Sequence, residues 1–386
     1  MNNTDARGEA FLARVTAFAR ERVAPTAAQR DREGMFPRDL WRGLGETGLF
    51  GAMLPPQEGG LGLPLQAMAA ALYTLAREGH DASLGVSILP SLVLANFHLP
   101  RLGTRAQKAR ILPRIVSGEW VAALGFSEFP HGANPKYIET SARRDGDAWV
   151  IDGRKAFVTN GLDADLFVIL AVTSRDGDRK GFTAFFVEKE TSGLTVEERM
   201  PLAFIRAAPH AIVRLGGCVV GNDQCLGELG TALAEISAST RTAEDLLGAA
   251  SLAGHAAWTV SLAAAHRGKD VAGRPALAET LGDLAIAAEA MKVRAERLAA
   301  LWDHGVADGT GVDGSDPFLA TLLGGRAIVG RLDERLAAFL EEAPPASGGD
   351  LERAVRDVEI GKIGGGAVRH QVRRFGERLA REMGGT

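Results

Sequence analysis

Two stretches of the chain gather residue types that do chemistry: GFSEFPHGANPKYIET, residues 125–140, and GRKAFVTNGLDAD, residues 153–165. Among their side chains are the hydroxyls of Ser127 and Thr159 and the aromatic ring of Phe157. Hydroxyls can donate or accept hydrogen bonds, and an aromatic offers a flat apolar face. Read alone, the same residues also suit ordinary strand duty, with Phe157 in a core and both hydroxyls satisfying local backbone. Histidine is a residue type that can act as acid or base, which makes His131 a candidate, although an exposed loop histidine is also an ordinary surface residue. Other signatures are missing: there is no GxSxG elbow, no GKS or GKT phosphate loop, no HExxH, and no GxGxxG opening a βα unit. The two cysteines, Cys218 and Cys225, form neither a CxxC pair nor a Cys/His cluster. They read as small packing residues, and no metal site is expected.

Short strands must position those two stretches. From residue 120 to about 227 the chain runs in Val-, Ile-, Phe- and Thr-rich segments (AWVIDGRKAFVTN, DLFVILAVTS, GFTAFFVEKE, GLTVEERM, HAIVRLG). The turn signals RDGD, DGR and SRDGDRKG separate them, which predicts an antiparallel barrel or sheet rather than a βαβ repeat. On either side the apolar spacing is helical. Before residue 116, FLARVTAFARERV and LQAMAAALYTLARE are broken by FPRDL, LPPQEGGLGLPL and HLPRLGT; after residue 231, long Ala- and Leu-rich helices are expected at roughly 243–266, 276–304, 316–341 and 351–382. The predicted organisation is α+β: an N-terminal helical domain, 1–118, a middle β domain, 119–229, and a C-terminal four-helix bundle, 230–386. In that bundle Glu244 and Asp245 read as acids of a first turn capped by Thr242, and Arg267 as a solvated helix-end cation.

The 386 residues are 46% hydrophobic and 24% charged, the composition of an ordinary soluble chain. A net charge of −4, from 44 Lys and Arg against 48 Asp and Glu, gives no pull toward phosphate backbones or anionic lipid, so no nucleic-acid partner is expected. The segment 246–265 is as long as a membrane span but rich in Ala, Gly and Ser and carries His255, so it reads as a buried helix and not a span. MNNTDARGEAFLARV has no apolar block of a secretory signal, and a cytoplasmic address is expected.

The two chemical stretches also resemble the middle domain of the acyl-CoA dehydrogenase family of flavoproteins, which reads as a TEPGAGSD segment followed by WITNG. Ser127-Glu128 falls on its Thr-Glu, Gly132 on its second Gly, Asn134 on its Asp, and residues 155–161 on the second segment. WRGLGETGLFGAMLPPQEGGLGL, TRAQKARILPRIVSGEW and LERAVRDVEIGKI resemble the family's opening domain, its approach to the β domain and the stretch before its catalytic C-terminal segment. The resemblance implies FAD, with Ser127 and Thr159 bonding the flavin edge and Phe157 standing against the ring where the family has Trp. It implies α,β-dehydrogenation of an acyl thioester, on CoA or another carrier, with electrons passed to an electron-transfer flavoprotein or similar acceptor, in a homo- or hetero-oligomer.

Three departures qualify that expectation. The family's usual base is a Glu near the C-terminus; here that position is Gly365, which can abstract nothing. A minority of the family carries the base at the start of the first bundle helix, which corresponds to Glu244. The family's QxxGG segment, which meets a neighbour's FAD diphosphate, is replaced by Ala338, Glu341 and Glu342, whose carboxylates would repel it, and Arg267 is the cation able to move into a diphosphate role. In the substrate loop, Pro130-His131 and Ala133 replace Gly-Ala and Ser, beside Asn134, which implies a different acyl group or carrier. The same departures suit two alternatives: a non-catalytic or half-catalytic subunit of a heteromeric dehydrogenase, and a tailoring enzyme, monooxygenase or non-redox, on the same scaffold.

Overall fold

The structure is a computed structural model describing residues 3–307 and 316–362, together with 372, 373 and 377. In chain order it has helices α1 (Asn3–Phe18), α2 (Ala24–Glu33), α3 (Arg38–Thr47), α4 (Leu65–Gly79), α5 (Ala82–Ser87), α6 (Leu89–Val93), α7 (Leu99–Leu102) and α8 (Arg105–Val116). Strands β1 (Ala122–Gly125), β2 (Ser141–Asp145), β3 (Ala148–Thr159), β4 (Leu166–Asp176), β5 (Arg179–Glu188), β6 (Leu194–Met200), β7 (His210–Gly221) and β8 (Cys225–Leu226) follow. Helices α9 (Ala238–Arg267), α10 (Pro275–Ala307), α11 (Asp316–Leu323), α12 (Gly325–Leu340) and α13 (Asp350–Asp357) close the described chain. Contacts divide it into two compact units: Met1–Leu63 with Ser83–Glu244, and Pro64–Ala82 with Asp245–Thr386.

In the first unit the sheet runs β6-β7-β3-β2-β4-β5-β8, with β1 beside β4. The apolar run of β4 alternates between two cores, Leu166, Val168 and Leu170 on one face and Phe167, Ile169 and Ala171 on the other. The first face packs on Leu99, Ile111, Leu112 and Ile115 of the helices, so the strand is buried on both sides, as a continuous apolar run requires. Burying a side chain such as Phe167 or Phe185 stabilises the fold by about 1.5–3 kcal/mol. Thr104 and Gln107 close a capping box at the start of α8, and Gln107 Nε2 also donates to the Asp223 and Cys225 carbonyls, both at 2.7 Å, tying that helix to the sheet edge.

Two expectations for the sheet need correction. Most pairs are antiparallel, but β1 and β2 each run parallel to β4. No crossover helix is needed, because the loop after β1 and the β2–β3 hairpin themselves carry the chain across. The turns at Gly146 and Gly177 form as expected, both at positive φ, yet DGR is not a turn. β3 runs through it with a register shift between Ile151 and Gly153, and Gly153 is needed because a Cβ there would collide with the Thr140 side chain.

In the second unit α9, α10 and α12 pack around Ala253, Ala256, Leu284, Met291, Leu332, Leu336 and Phe339. By its contacts α4 belongs here: Asp303 of α10 caps its first turn, accepting from Leu65 N at 2.8 Å and Gln66 N at 3.0 Å, and Gly254 lets α9 approach the Tyr73 carbonyl. The expected helix 316–341 is interrupted at Gly324, where Arg294 donates to the Thr321 and Leu322 carbonyls and satisfies the end of α11. The helix expected from 243 begins earlier, since α9 continues a π-turn over Leu233–Ser237 with no breaker between. Thr242 is therefore not a cap; inside the helix, its hydroxyl donates back to the Ala238 carbonyl at 3.4 Å. Two helical stretches, Ala82–Leu102 and Leu233–Val271, are long and apolar enough to cross a membrane, but 78% and 72% of their apolar windows are buried within the protein.

Candidate functional site

The site grows from an irregularity in β3. Its pairing with β7 skips between Lys155↔Val213 and Val158↔Ala211, so Ala156 and Phe157 together oppose one residue. Phe157 absorbs the bulge at φ +56°, a left-handed conformation uncommon for a bulky side chain. The result is an aromatic turned outward, 42% exposed, with its ring centroid 4.9 Å from that of exposed Phe129. Its backbone N–H, taken out of the ladder, points at Met200 Sδ at 3.2 Å.

Ser127 joins from the loop that follows β1, its carbonyl accepting from Ala156 N at 2.9 Å. Its half-buried hydroxyl has no hydrogen-bond partner among the described residues and is left for something else. Thr159, two residues past Phe157, faces its β7 register partner His210, with Oγ1 3.0 Å from Nε2. His210 Nδ1 lies 2.9 Å from the Ala208 carbonyl oxygen. Burial holds the His210 pKa below the usual histidine range, with the Ala208 bond opposing it.

Beneath this surface lies a buried ion pair. Lys155 is fully buried, and its Nζ donates to Glu128 Oε1 at 2.7 Å. Glu128 also accepts from Thr140 N at 3.1 Å and Glu139 N at 2.9 Å. Burial pulls the Lys155 pKa down to about 8, against the attraction of Glu128. Burial pushes Glu128 up, but the Lys155 charge and the hydrogen bonds outweigh it and hold the carboxyl below its ordinary range. The pair pins the 128–140 loop to β3. On that loop His131 stacks on Tyr137 with centroids 3.9 Å apart, Asn134 Oδ1 accepts from Lys136 N at 3.1 Å, and Ala133 is exposed. A cavity of about 290 Å³ opens beside it, lined by Glu128, Phe129, Thr140, Gly153, Ala156 and Ile212.

Of the residues expected from sequence, the structure brings Ser127, Phe157 and Thr159 to one end of the sheet and holds His131, Ala133 and Asn134 on the adjoining loop. Glu244 is half-buried inside α9, well past the helix start, so the first-turn reading of this acid is withdrawn. Gly365 lies outside the described residues. Arg267, in the second unit, is not a solvated cation: it is 3% exposed and donates to the Phe339 carbonyl, to Glu342 at 3.1 Å and to Asp270 at 3.4 Å. Arg274 also reaches Glu342 at 3.1 Å, so the carboxylate expected to repel a diphosphate is already neutralised within its own chain. Burial raises both cysteine thiols, Cys225 to about 11. No group of three metal-binding side chains occurs among the described residues.

Sequence reasoning missed His210, Met200, Phe129 and the Lys155–Glu128 pair. Lys155 was legible in principle, since it shares strand parity with inward-facing Ile151, and a charge there demands a partner. His210 becomes a partner of Thr159 only through cross-strand register.

The chain matches the family models described as acyl-CoA dehydrogenase, N-terminal domain, over residues 5–119 and acyl-CoA dehydrogenase, middle domain, over residues 123–217, together more than half its length. It belongs to the acyl-CoA dehydrogenase family. A potato mitochondrial isovaleryl-CoA dehydrogenase is 33% identical over 222 residues, 57% of this chain and 53% of that protein, so the alignment spans about half the length of that relative. In fold, this acyl-CoA dehydrogenase-family chain is similar to butyryl-CoA dehydrogenase from Megasphaera elsdenii, with a TM-score of 0.86 and 24% identity over 99% of this chain and 100% of that one. It is similar also to PigA with FAD and proline, with a TM-score of 0.85 and 20% identity over 100% and 99%.

Proposed function

We propose that this chain is an FAD-dependent oxidoreductase that introduces a double bond between the α- and β-carbons of an acyl thioester. The observation that carries the reading is the convergence of Ser127, Phe157 and Thr159 at one end of the sheet, with Ser127 uncommitted among the described residues and Phe157 held outward at positive φ. Those features fit an isoalloxazine ring: a hydroxyl free to bond its polar edge, a second hydroxyl near by, and an aromatic free to lie against it. FAD, when bound, supplies the acceptor for the hydride equivalent leaving the β-carbon. The Lys155–Glu128 pair keeps the loop and β3 rigid so that these contacts need no ordering at binding.

The proton lost from the α-carbon needs a base, and Glu244 is the proposed one. Its place within α9 supports the assignment by removing the helix-cap explanation for an acid there. The substrate is an acyl thioester on CoA or a carrier, selected in part by the loop bearing His131, Ala133 and Asn134. An electron-transfer flavoprotein or similar acceptor takes the electrons onward. The working form is an oligomer, a reading supported by exposed Ile286 and Val293, seven residues apart on one face of α10. The engagement of Arg267 within its own chain favours a second reading, in which a paralogous partner subunit contributes the diphosphate contacts.

The test is reconstitution with FAD followed by anaerobic addition of acyl-CoA and carrier-bound thioesters. A bound-flavin spectrum that bleaches with a thioester, and does not bleach in Glu244→Gln, is the expected result. Flavin that binds but bleaches only after a second, motif-complete chain is added selects the heteromer. No flavin uptake in either case overturns the proposal.

A further inference from the structure

The Thr159 hydroxyl has one proton to donate, and the geometry at His210 decides where it goes. The Ala208 carbonyl oxygen can only accept, so His210 Nδ1, 2.9 Å away, carries the ring proton. In the neutral ring Nε2 is then a bare lone pair, and Thr159 Oγ1, 3.0 Å from it, is the donor. The pair is held by its register across β3 and β7, just past the bulge, and Met200 on β6 is the other register partner of His210.

Resting on the flavin reading above, we propose that His210 is a positioning residue that sets the hydrogen-bond polarity of Thr159. By taking the hydroxyl proton it leaves Thr159 to meet the ring edge as an acceptor. An oxidised isoalloxazine offers acceptors at N1, O2, O4 and N5 and a single N–H at N3, whereas the two-electron-reduced ring also carries N–H at N5. An acceptor at that edge therefore favours the reduced ring, and His210 raises the flavin potential without touching the flavin.

Two measurements on the full chain test this. In the protein without FAD, ¹⁵N-histidine NMR reads the tautomer directly, with the His210 signal assigned by its loss in His210→Gln; the expected form is neutral and protonated at Nδ1. In the FAD-loaded protein, dye-coupled titration gives the midpoint potential of wild type, His210→Leu, His210→Gln, Thr159→Val and the His210→Leu/Thr159→Val double variant. His210→Leu frees the hydroxyl proton to bond the oxidised ring and should lower the preference for the reduced ring about tenfold, or about 30 mV for a two-electron couple. Gln, whose amide oxygen can accept the proton, should restore most of the shift. In the Thr159→Val background the Leu change should do nothing. An Nε2-protonated ring, or equal shifts in both backgrounds, overturns the inference while leaving the flavin reading standing. Failure of wild type to take up FAD overturns both. If His210→Leu does not fold, the tautomer and the comparison of His210→Gln with Thr159→Val decide.

Discussion

The end of the sheet around Phe157 and the helix end around Arg267 both carry residues expected to hold a cofactor, and they are built in opposite ways. At Phe157 the bulge takes a side chain and a backbone N–H out of the ladder, and among the described residues Ser127 keeps its hydroxyl unspent. At Arg267 all three guanidinium nitrogens have acceptors from the same chain, and Glu342 is shared with Arg274. A ligand is held by hydrogen-bonding capacity that folding leaves over. Residue type is therefore a weaker guide to a site than whether a donor or acceptor has already been consumed.

The largest effect that sharpens this contrast concerns the base. Glu244→Gln should slow thioester-driven flavin bleaching about 100- to 10,000-fold with FAD still bound, read by stopped-flow absorbance, and unchanged bleaching would remove Glu244 from the chemistry. Next comes the support beneath Phe157. Lys155→Met strands the Glu128 carboxylate and should cost about 3–5 kcal/mol in urea unfolding, while Lys155→Met with Glu128→Leu should recover much of that loss. Arg267→Gln tests the other region. If its donors serve the fold, stability drops by about 1–3 kcal/mol and FAD affinity stays as in wild type; lost affinity in a fully folded variant would make Arg267 a diphosphate ligand and erase the contrast. Thr159→Val should weaken binding of the reduced flavin by about 1–2 kcal/mol, read by anaerobic titration, with oxidised FAD affinity little changed and the sheet intact.

A last, smaller effect follows from a buried histidine in each unit. Burial pulls His98 down to about 3 in the first unit and His255 down to about 4 in the second, both from 6.5. Each folded pKa lies below its unfolded value, so the stabilisation is complete above pH 6.5. It is lost as pH falls from there toward the folded values, because the unfolded chain binds the extra proton. The urea midpoint should therefore decline between pH 7 and 4.5, and His255→Gln should flatten that decline; an equal slope in the variant would assign the acid sensitivity elsewhere.

Much was legible before any coordinates. Strand periodicity placed the β domain, the Gly146 and Gly177 turns announced hairpins, and Ala-rich helical spacing announced the bundle. Those are local patterns, in which each residue's neighbours along the chain decide its conformation. The reading of DGR as a turn failed because a Gly that permits a turn equally permits a strand in close contact with its neighbour, and at Gly153 the Thr140 side chain leaves no room for a Cβ. Thr242 failed as a cap because the residues before it, LAEISASTR, contain no breaker and include the helix formers Leu, Ala, Glu and Arg, so the helix is already under way there.

The residue types able to meet a ring, Ser127, Phe157 and Thr159, are a property of the sequence, and so is the absence of a base at Gly365. That Phe157 is exposed, that Ser127 keeps its hydroxyl unspent among the described residues, that Thr159 is paired with a histidine 51 positions away, and that Arg267 is consumed by its own chain are not. They depend on register across the sheet and on which helix ends meet. A hydrogen bond is spent once, and only the folded chain decides on whom.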